Sequence, residues 1–379
     1  MQHVDRSELV EKYKKVARRF DSTGLSIEES VVRLDALIEA CSQLELGQSL
    51  LVMGHMGVGK TSFIKCLAAK FGPERTVFVE NVPRGVCKDQ VKRDVGLSEC
   101  ASFIAKSERA KSRSFLRWRS QKRDVSSWRE RIKESGQSAL AFLGDYITSS
   151  EIVRPVLVAI DYELPLKANP EAFKAVAELN DLSNLSFAIA LNANPSLSNF
   201  IEEHAASFRR LYVPMLERDE IKTLIDSHLD GSGIEFDESA IDALNRFTGG
   251  RPYEVQIAAS KLLFSAKRQF SPKTVYSASD VVALCDDAEF TSWDLHKAQT
   301  CLTAAFERFT VRQQGLVSEI VREGQLELTP DIEVLADELI EMGILRADQR
   351  DRSKWFLLIR GDFARTCLSE IPVIKFGNV

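Results

Sequence analysis

The chain has 379 residues, 44% of them hydrophobic and 28% charged, with a formal net charge of −5. This is ordinary globular composition at a length suited to two or three domains, and it excludes disordered and fibrous classes. The first 19 residues are charge-rich without an apolar centre, and no uninterrupted apolar run reaches membrane-spanning length; a soluble, cytoplasmic protein with no membrane partner is expected. Seven cysteines, odd in number and never in C-x-x-C spacing, read as buried thiols rather than metal ligands or disulfides.

Residues 5–20 read as a charged helix, and residues 1–25 as a separate N-terminal element. A second helix opens with the capping-box pattern Ser26-Ile-Glu-Glu29 and buries Val31, Leu34, Ile38 and Cys41 at helical spacing. After Gly47 the run Ser49-Leu-Leu-Val-Met53 predicts a buried strand, and it leads into Gly54, His55, Met56, Gly57, Val58, Gly59, Lys60, Thr61 and Ser62. This stretch fits G-x-x-x-x-G-K-[ST], and a helix follows to Phe71, stopped by Gly72-Pro73. Glycines let the backbone turn tightly enough for several N–H groups to face a phosphate, and the helix N-terminus adds partial positive charge. Lys60 would reach the β- and γ-phosphates of ATP, and the Thr61 hydroxyl would help to hold Mg²⁺. His55 occupies a variable position of such loops and is expected to shape the loop.

Residues 75–80 alternate as a second strand, and residues 84–150 read as a mainly helical insert. Within it, positions 106–133 hold eleven lysines and arginines against three acids, so that this segment carries +8 and the remainder of the chain −13. Arg113, Arg117, Trp118, Arg119, Lys122 and Arg123, with Phe115 and Trp128 nearby, suit phosphate contact plus base stacking on DNA or RNA. An amphipathic helical pair whose aromatics pack inward is the competing reading.

The continuous apolar run Val156-Leu-Val-Ala-Ile160 ends on Asp161, and Ser186-Phe-Ala-Ile-Ala-Leu191 ends on Asn192-Ala-Asn194. Such strands belong to parallel sheets buried on both faces, where ligands collect at the carboxyl ends. Asp161 is therefore expected beside the glycine-rich loop as a Mg²⁺ partner. Arg209 and Arg210 precede another short strand. Beyond it, residues 216–270 read as three helices, with Gly249-Gly-Arg-Pro252 before the last; residues 271–295 read as a connection containing one short helix. In the last unit, 296–379, helices over 310–322 and 330–342 precede two strands joined by a polar turn, the order of a winged helix. Its second helix holds five acids over 331–341 and no basic residue, so a phosphate-lined groove would repel it. Protein docking or autoinhibition suits this unit better.

In this order of elements, from the glycine-rich loop to the terminal unit, the chain resembles AAA+ ATPases, and within them the branch of STAND and archaeal origin-recognition-like proteins. The resemblance covers about residues 26–370. It implies an α/β, parallel-sheet P-loop NTPase core over 26–215, a helical lid over 216–270 and a C-terminal winged-helix domain. It also implies that Lys60 and Thr61 hold phosphate and Mg²⁺, and that Asp161 is the second metal residue. Asn192 or Asn194 would orient the attacking water, and Arg209 or Arg210 would act on a neighbouring subunit's nucleotide. Arg251 would reach the γ-phosphate from a turn formed with Pro252. A surface pair at Arg209 and Arg210, and a cap or an ion pair with Glu254 for Arg251, are the plain alternatives. One departure stands out: the family usually has Glu directly after the aspartate, whereas here Tyr162 intervenes before Glu163. Neighbouring side chains on a strand point to opposite faces, so Glu163 serves only if the chain leaves the strand at once. The expected function is an ATP-binding, slowly hydrolysing conformational or assembly switch, homo-oligomeric or partner-bound. An ATP-bound recruiting scaffold with negligible turnover is the alternative.

Overall fold

The computed structural model describes residues 33–55, 57–72, 74–79, 96–111, 121–149, 156–161, 180, 185–192, 198–268, 273–287, 289–290, 294–351 and 354–371. The helix expected over 5–20 and the capping box at Ser26 lie outside them.

Strands β1 (Leu50–Gly54), β2 (Thr76–Val79), β3 (Val156–Asp161), β4 (Leu185–Asn192) and β5 (Arg209–Tyr212) form one parallel sheet in the order β2-β3-β4-β1-β5. Alternate residues of each strand enter different cores. Leu50, Val52, Leu157 and Ala188 meet helices α1 (Leu34–Glu45) and α2 (Lys60–Phe71) through Leu37, Leu44, Ile64 and Leu67. Leu51, Met53, Val158 and Phe187 meet the opposite layer, α3 (Leu97–Lys111), α4 (Gln121–Glu134), α5 (Ala139–Ser149) and α6 (Ser198–Ala205). With both faces covered, the central strands have no reason to alternate with polar residues, which is why they read as unbroken apolar runs. A fully buried residue such as Phe187 contributes about 2–3 kcal/mol. The class is α/β, with a five-stranded parallel sheet flanked by helices.

The pairing register places the site. Gly54 is opposite Asn192, and Asp161 is opposite Ala190, so β1, β4 and β3 end at one edge. The order also puts β4 between the other two.

Next come α7 (Arg218–Leu229), β6 (Glu235–Phe236), α8 (Glu238–Thr248), α9 (Pro252–Arg268), β7 (Val275–Tyr276) and α10 (Ala278–Cys285). Part of the stretch expected to be a connection is thus built into the helical unit: β7 pairs with β6, and α10 packs on α8 and α9. Phe236 stacks on Tyr276 at 4.9 Å, while Val281 and Leu284 are buried. Two short apolar pairs separated by polar turns offered too little periodicity to show this.

The remaining elements are α11 (His296–Phe306), α12 (Val311–Glu323), β8 (Leu326–Glu327), α13 (Glu333–Glu341), β9 (Leu345–Asp351), β10 (Lys354–Ile359) and α14 (Asp362–Ser369), with an antiparallel sheet β8-β10-β9. Thr310 and Gln313 cap α12 reciprocally. Helices α11 and α14 had no sequence expectation; α14 packs on both α11 and α8, with Phe363 against Phe247 at 5.8 Å. No helix among the described residues is long and apolar enough to cross a membrane.

The helical and terminal units meet at a backbone crossing. Gly249 ends α8 with φ 62, and a Cβ there would lie 2.6 Å from the Arg360 carbonyl oxygen. Both the left-handed conformation and the close approach require glycine. Gly249→Ala should lower stability by roughly 2–4 kcal/mol, read as an earlier midpoint in urea denaturation; an unchanged midpoint would show that the two units are not held together here.

Candidate nucleotide site

The loop leaves β1 at Gly54 and enters α2 through Gly59, the N-cap residue, at φ 89. No side chain caps this helix and its first turn carries no acid, so the N-terminal N–H groups and the positive end of the helix dipole stay available to an anion. The Lys60 ammonium donates to the carbonyl oxygens of Gly54 at 3.0 Å and His55 at 2.7 Å, folding back over the loop. Thr61 and Ser62 are half-buried in the first turn. Met56 lies outside the described residues.

The helical unit closes over this loop. Tyr253 N–H donates to the Gly57 carbonyl at 3.3 Å, and a Cβ on Gly57 would be 3.0 Å from that of Tyr253. Pro252 opens α9 beside Gly59, 3.8 Å from where its Cβ would be. Val58 is buried under the loop and nearly touches Gly54, whose Cβ position it approaches to 2.7 Å.

Arg251 takes a different place from the one its motif implies. Its guanidinium donates to the carbonyls of Thr248 at 3.3 Å, Arg360 at 3.2 Å and Gly343 at 3.2 Å, with Glu254 at 3.7 Å. It is 4% exposed and reaches into the terminal unit. Together with His55, Gly57, Tyr253, Glu254 and Cys301 it lines a cavity of about 20 Å³, the size of a single water. His55 Nε2, Arg251 Nε and Glu254 Oε2 are all buried without a hydrogen-bond partner. Burial, then Arg251, then Lys60 lower the His55 imidazole to about 3, so it is neutral. Burial raises the Glu254 carboxyl to about 7, against the pull of Arg251.

Sequence reading missed Arg33. It precedes α1, buried at 8% exposure, and its Nη1 is 3.1 Å from the Cβ position of Gly59. Its Nε and Nη2 have no hydrogen-bond partner, and burial lowers the group to about 10, leaving it charged at neutral pH. A lone arginine next to an apolar helical stripe carries no motif; only its position against the loop distinguishes it.

Asn192 is half-buried on the strand next to the loop, paired with Gly54, whereas Asp161 ends β3 one strand further away. Asp161 and the loop share the carboxyl edge of the sheet, with β4 between their strands. Glu163 and Asn194 lie outside the described residues. Arg209 and Arg210 pair with Leu50 and Leu51 at the amino end of β1, away from the loop, and make surface ion pairs with Glu39 at 2.6 Å and Glu202 at 3.5 Å. In the basic insert, Arg113, Arg117, Trp118 and Arg119 are outside the described residues, as are the side chains of Lys122 and Arg123, which fall within α4. Trp128 packs inward, edge-on to Phe142 and Tyr146 at 6.4 and 5.9 Å, with the Arg131 guanidinium over its ring at 4.6 Å.

The fold and loop combine an α/β parallel sheet with an uncapped helix N-terminus at the carboxyl edge of its strand β1. No family model matches the chain, and no curated protein matches it. Among solved structures it is similar to the Thermotoga maritima RuvB Holliday junction branch migration motor, at 13% identity and TM-score 0.41, over 90% of this chain and 96% of that one. It is similar to a chain in the Drosophila ORC bound to AT-rich DNA and Cdc6, at 8% identity and TM-score 0.30, over 96% of each. A Pyrococcus horikoshii STAND protein with a tetratricopeptide repeat sensor is similar at 13% identity and TM-score 0.35, over 88% of this chain and 42% of that one.

The buried Glu254 makes stability depend on pH. Its folded carboxyl holds its proton to higher pH than the unfolded one, so stability falls as pH rises from about 4.5 towards 7, by up to about 3 kcal/mol. Glu254→Gln should remove this slope; if its melting temperature tracks wild type between about pH 5 and 8, the carboxyl is not held in this way.

Proposed function

We propose that the protein is an AAA+/STAND-like ATPase acting as a nucleotide-driven conformational or assembly switch. The observation that carries this reading is the uncapped helix N-terminus at Gly59, roofed by Pro252 and Tyr253 from the helical unit. An anion seated there would contact the core and the roof together, so its binding energy would depend on their relative angle. ATP would supply the phosphates and Mg²⁺ the charge that bridges them. Lys60 would turn from the Gly54 and His55 carbonyls to the phosphates, and Thr61 and Asp161 would hold the metal. Asn192 or Asn194 would orient a water. Turnover depends on Glu163, since Tyr162 follows the aspartate, and slow hydrolysis is the expectation.

Arg209 and Arg210 sit at the far end of β5 from the chain's own loop, which suits contact with a neighbouring subunit's nucleotide in a homo-oligomer. The terminal unit would serve as a docking or autoinhibitory module: its acidic helix α13 faces the core's own edge strand, where burial and then Glu341 raise the Tyr212 hydroxyl. The recruiting-scaffold reading is favoured by the Arg251 contacts, which tie the roof to the terminal unit instead of to the loop.

Lys60→Ala should weaken ATP binding by at least about tenfold in calorimetry, and unchanged affinity would end the nucleotide reading. In phosphate-release assays, Glu163→Gln should fall below wild type if the protein is a switch that hydrolyses; equal and negligible rates would leave the scaffold.

We assign DNA or RNA binding to the basic insert on its charge. Reversal of Arg113, Arg117, Arg119 and Arg123 to Glu should then abolish salt-sensitive binding to a single-stranded oligonucleotide, and persistence of that binding would refute the assignment.

A further inference from the structure

Arg33 combines two features that the site description leaves unexplained. Its backbone is left-handed, φ 62 and ψ 36, and among the described residues it is the one non-glycine with positive φ. For a residue with a long side chain this costs roughly 1–2 kcal/mol, so something must hold it. Its guanidinium is also buried with Nε and Nη2 unpartnered, although the Glu220 carboxylate is near enough to raise its basicity against burial.

The Glu220 carboxylate is engaged elsewhere. Oε1 accepts the Arg33 backbone N–H at 2.6 Å, across 187 residues of chain, and Oε2 accepts the Glu217 N–H at 2.9 Å in the capping box of α7. One carboxylate thus ties the first turn of the roofing unit to the first turn of α1. It makes no hydrogen bond with the guanidinium, whose Nε and Nη2 are unpartnered and whose Nη1 lies at the Gly59 loop.

We propose that Glu220 is a positioning residue of the anion seat, fixing Arg33 in its left-handed conformation so that its guanidinium serves as a ligand for the nucleotide, and releasing it when the roof moves. The proposal rests on the nucleotide reading above and adds how the roof's position reaches the seat. A charge-assisted N–H to carboxylate bond is short and directional, so a displacement of α7 by an ångström or two breaks it. Without it, Arg33 relaxes to an ordinary conformation and its guanidinium leaves the loop. By reciprocity, an anion that engages Arg33 favours the closed position of α7. The other charged group facing Arg33, Arg360 of the terminal unit, is repulsive, so it does not substitute for Glu220.

The test is a double-mutant cycle read by calorimetry with Mg²⁺ and a non-hydrolysable ATP analogue. Arg33→Ala and Glu220→Ala should each weaken binding at least about fivefold, and the double variant should be no weaker than Arg33→Ala alone. Arg33→Gly, which lacks the guanidinium, should likewise make binding insensitive to Glu220→Ala. Glu220→Gln, which keeps one acceptor, reports on folding: it should retain the wild-type melting temperature within a few degrees while still losing affinity. Additive effects of Arg33 and Glu220 substitutions, or wild-type affinity in both Glu220 variants, would overturn the proposal. Lys60→Ala distinguishes the two failures. If it weakens binding while the Glu220 variants do not, only the positioning role falls. If it leaves binding unchanged, the nucleotide reading falls and this inference with it.

Discussion

Buried positive charge around an uncapped helix is the constraint on which the rest of the architecture depends. An isolated ion taken out of water carries a penalty of several kcal/mol unless a partner compensates it. At the start of α2, Arg33 is charged, buried and without a hydrogen-bond partner on two of its nitrogens, and the Lys60 ammonium is met by two backbone carbonyls. The helix adds its own positive end, with no acid in the first turn. Among the described residues, Glu220 supports the Arg33 charge against burial without forming an ion pair with it, its oxygens accepting the Arg33 and Glu217 N–H groups. On the proposed nucleotide reading, a phosphate would answer these donors together.

The same logic extends outward through arginines that cross between units. Arg251 sends its donors to Thr248, Gly343 and Arg360, and Arg360 in turn donates to the Gly249 carbonyl at 2.8 Å and to Glu217 at 3.3 Å. Burial lowers the Arg360 guanidinium despite Glu217, with Arg251 and Arg346 acting in the same direction. Carbonyl oxygens thus take most of these donors, with the Glu217 carboxylate beside Arg360 and Glu254 3.7 Å from Arg251. The helical and terminal units are joined by these bonds and by the Gly249 crossing, and Tyr253 joins both to the loop. A shift at the loop therefore has a direct mechanical route to the surface of the terminal unit.

The sheet was legible because its physics is local. Four apolar or alternating runs of strand length, each ended by a turn, a glycine or a polar residue, need no tertiary knowledge, and all four form, as does the short strand at Arg209–Tyr212. The loop was legible because its glycines and Lys60 have fixed spacing. Arg33 was not, because its role comes from a left-handed backbone held by a carboxylate 187 residues away. The motif places Arg251 at the γ-phosphate, whereas two of the three carbonyls it donates to come from a unit more than ninety residues downstream. Residues 275–285 read as a connection because their buried contacts are made with α8 and α9, which no local pattern encodes.

Arg209 and Arg210 show how topology limits chemistry even where side chains look suitable. Parallel pairing sets Arg209 against Leu50, while the loop leaves the other end of the same strand at Gly54. At a strand rise of about 3.3 Å per residue, the two lie roughly 13 Å apart along the sheet, and Arg209 is already engaged by Glu39 on the outside of α1. Neither arginine can therefore stabilise charge at its own loop without dismantling β5. On the proposed reading, any part they take in phosphate chemistry would be at another subunit's site, and hydrolysis by an isolated chain would be slow for a second reason beyond the place of Glu163 in the sequence. Under that reading the chain would hold its nucleotide until a neighbour supplied an arginine.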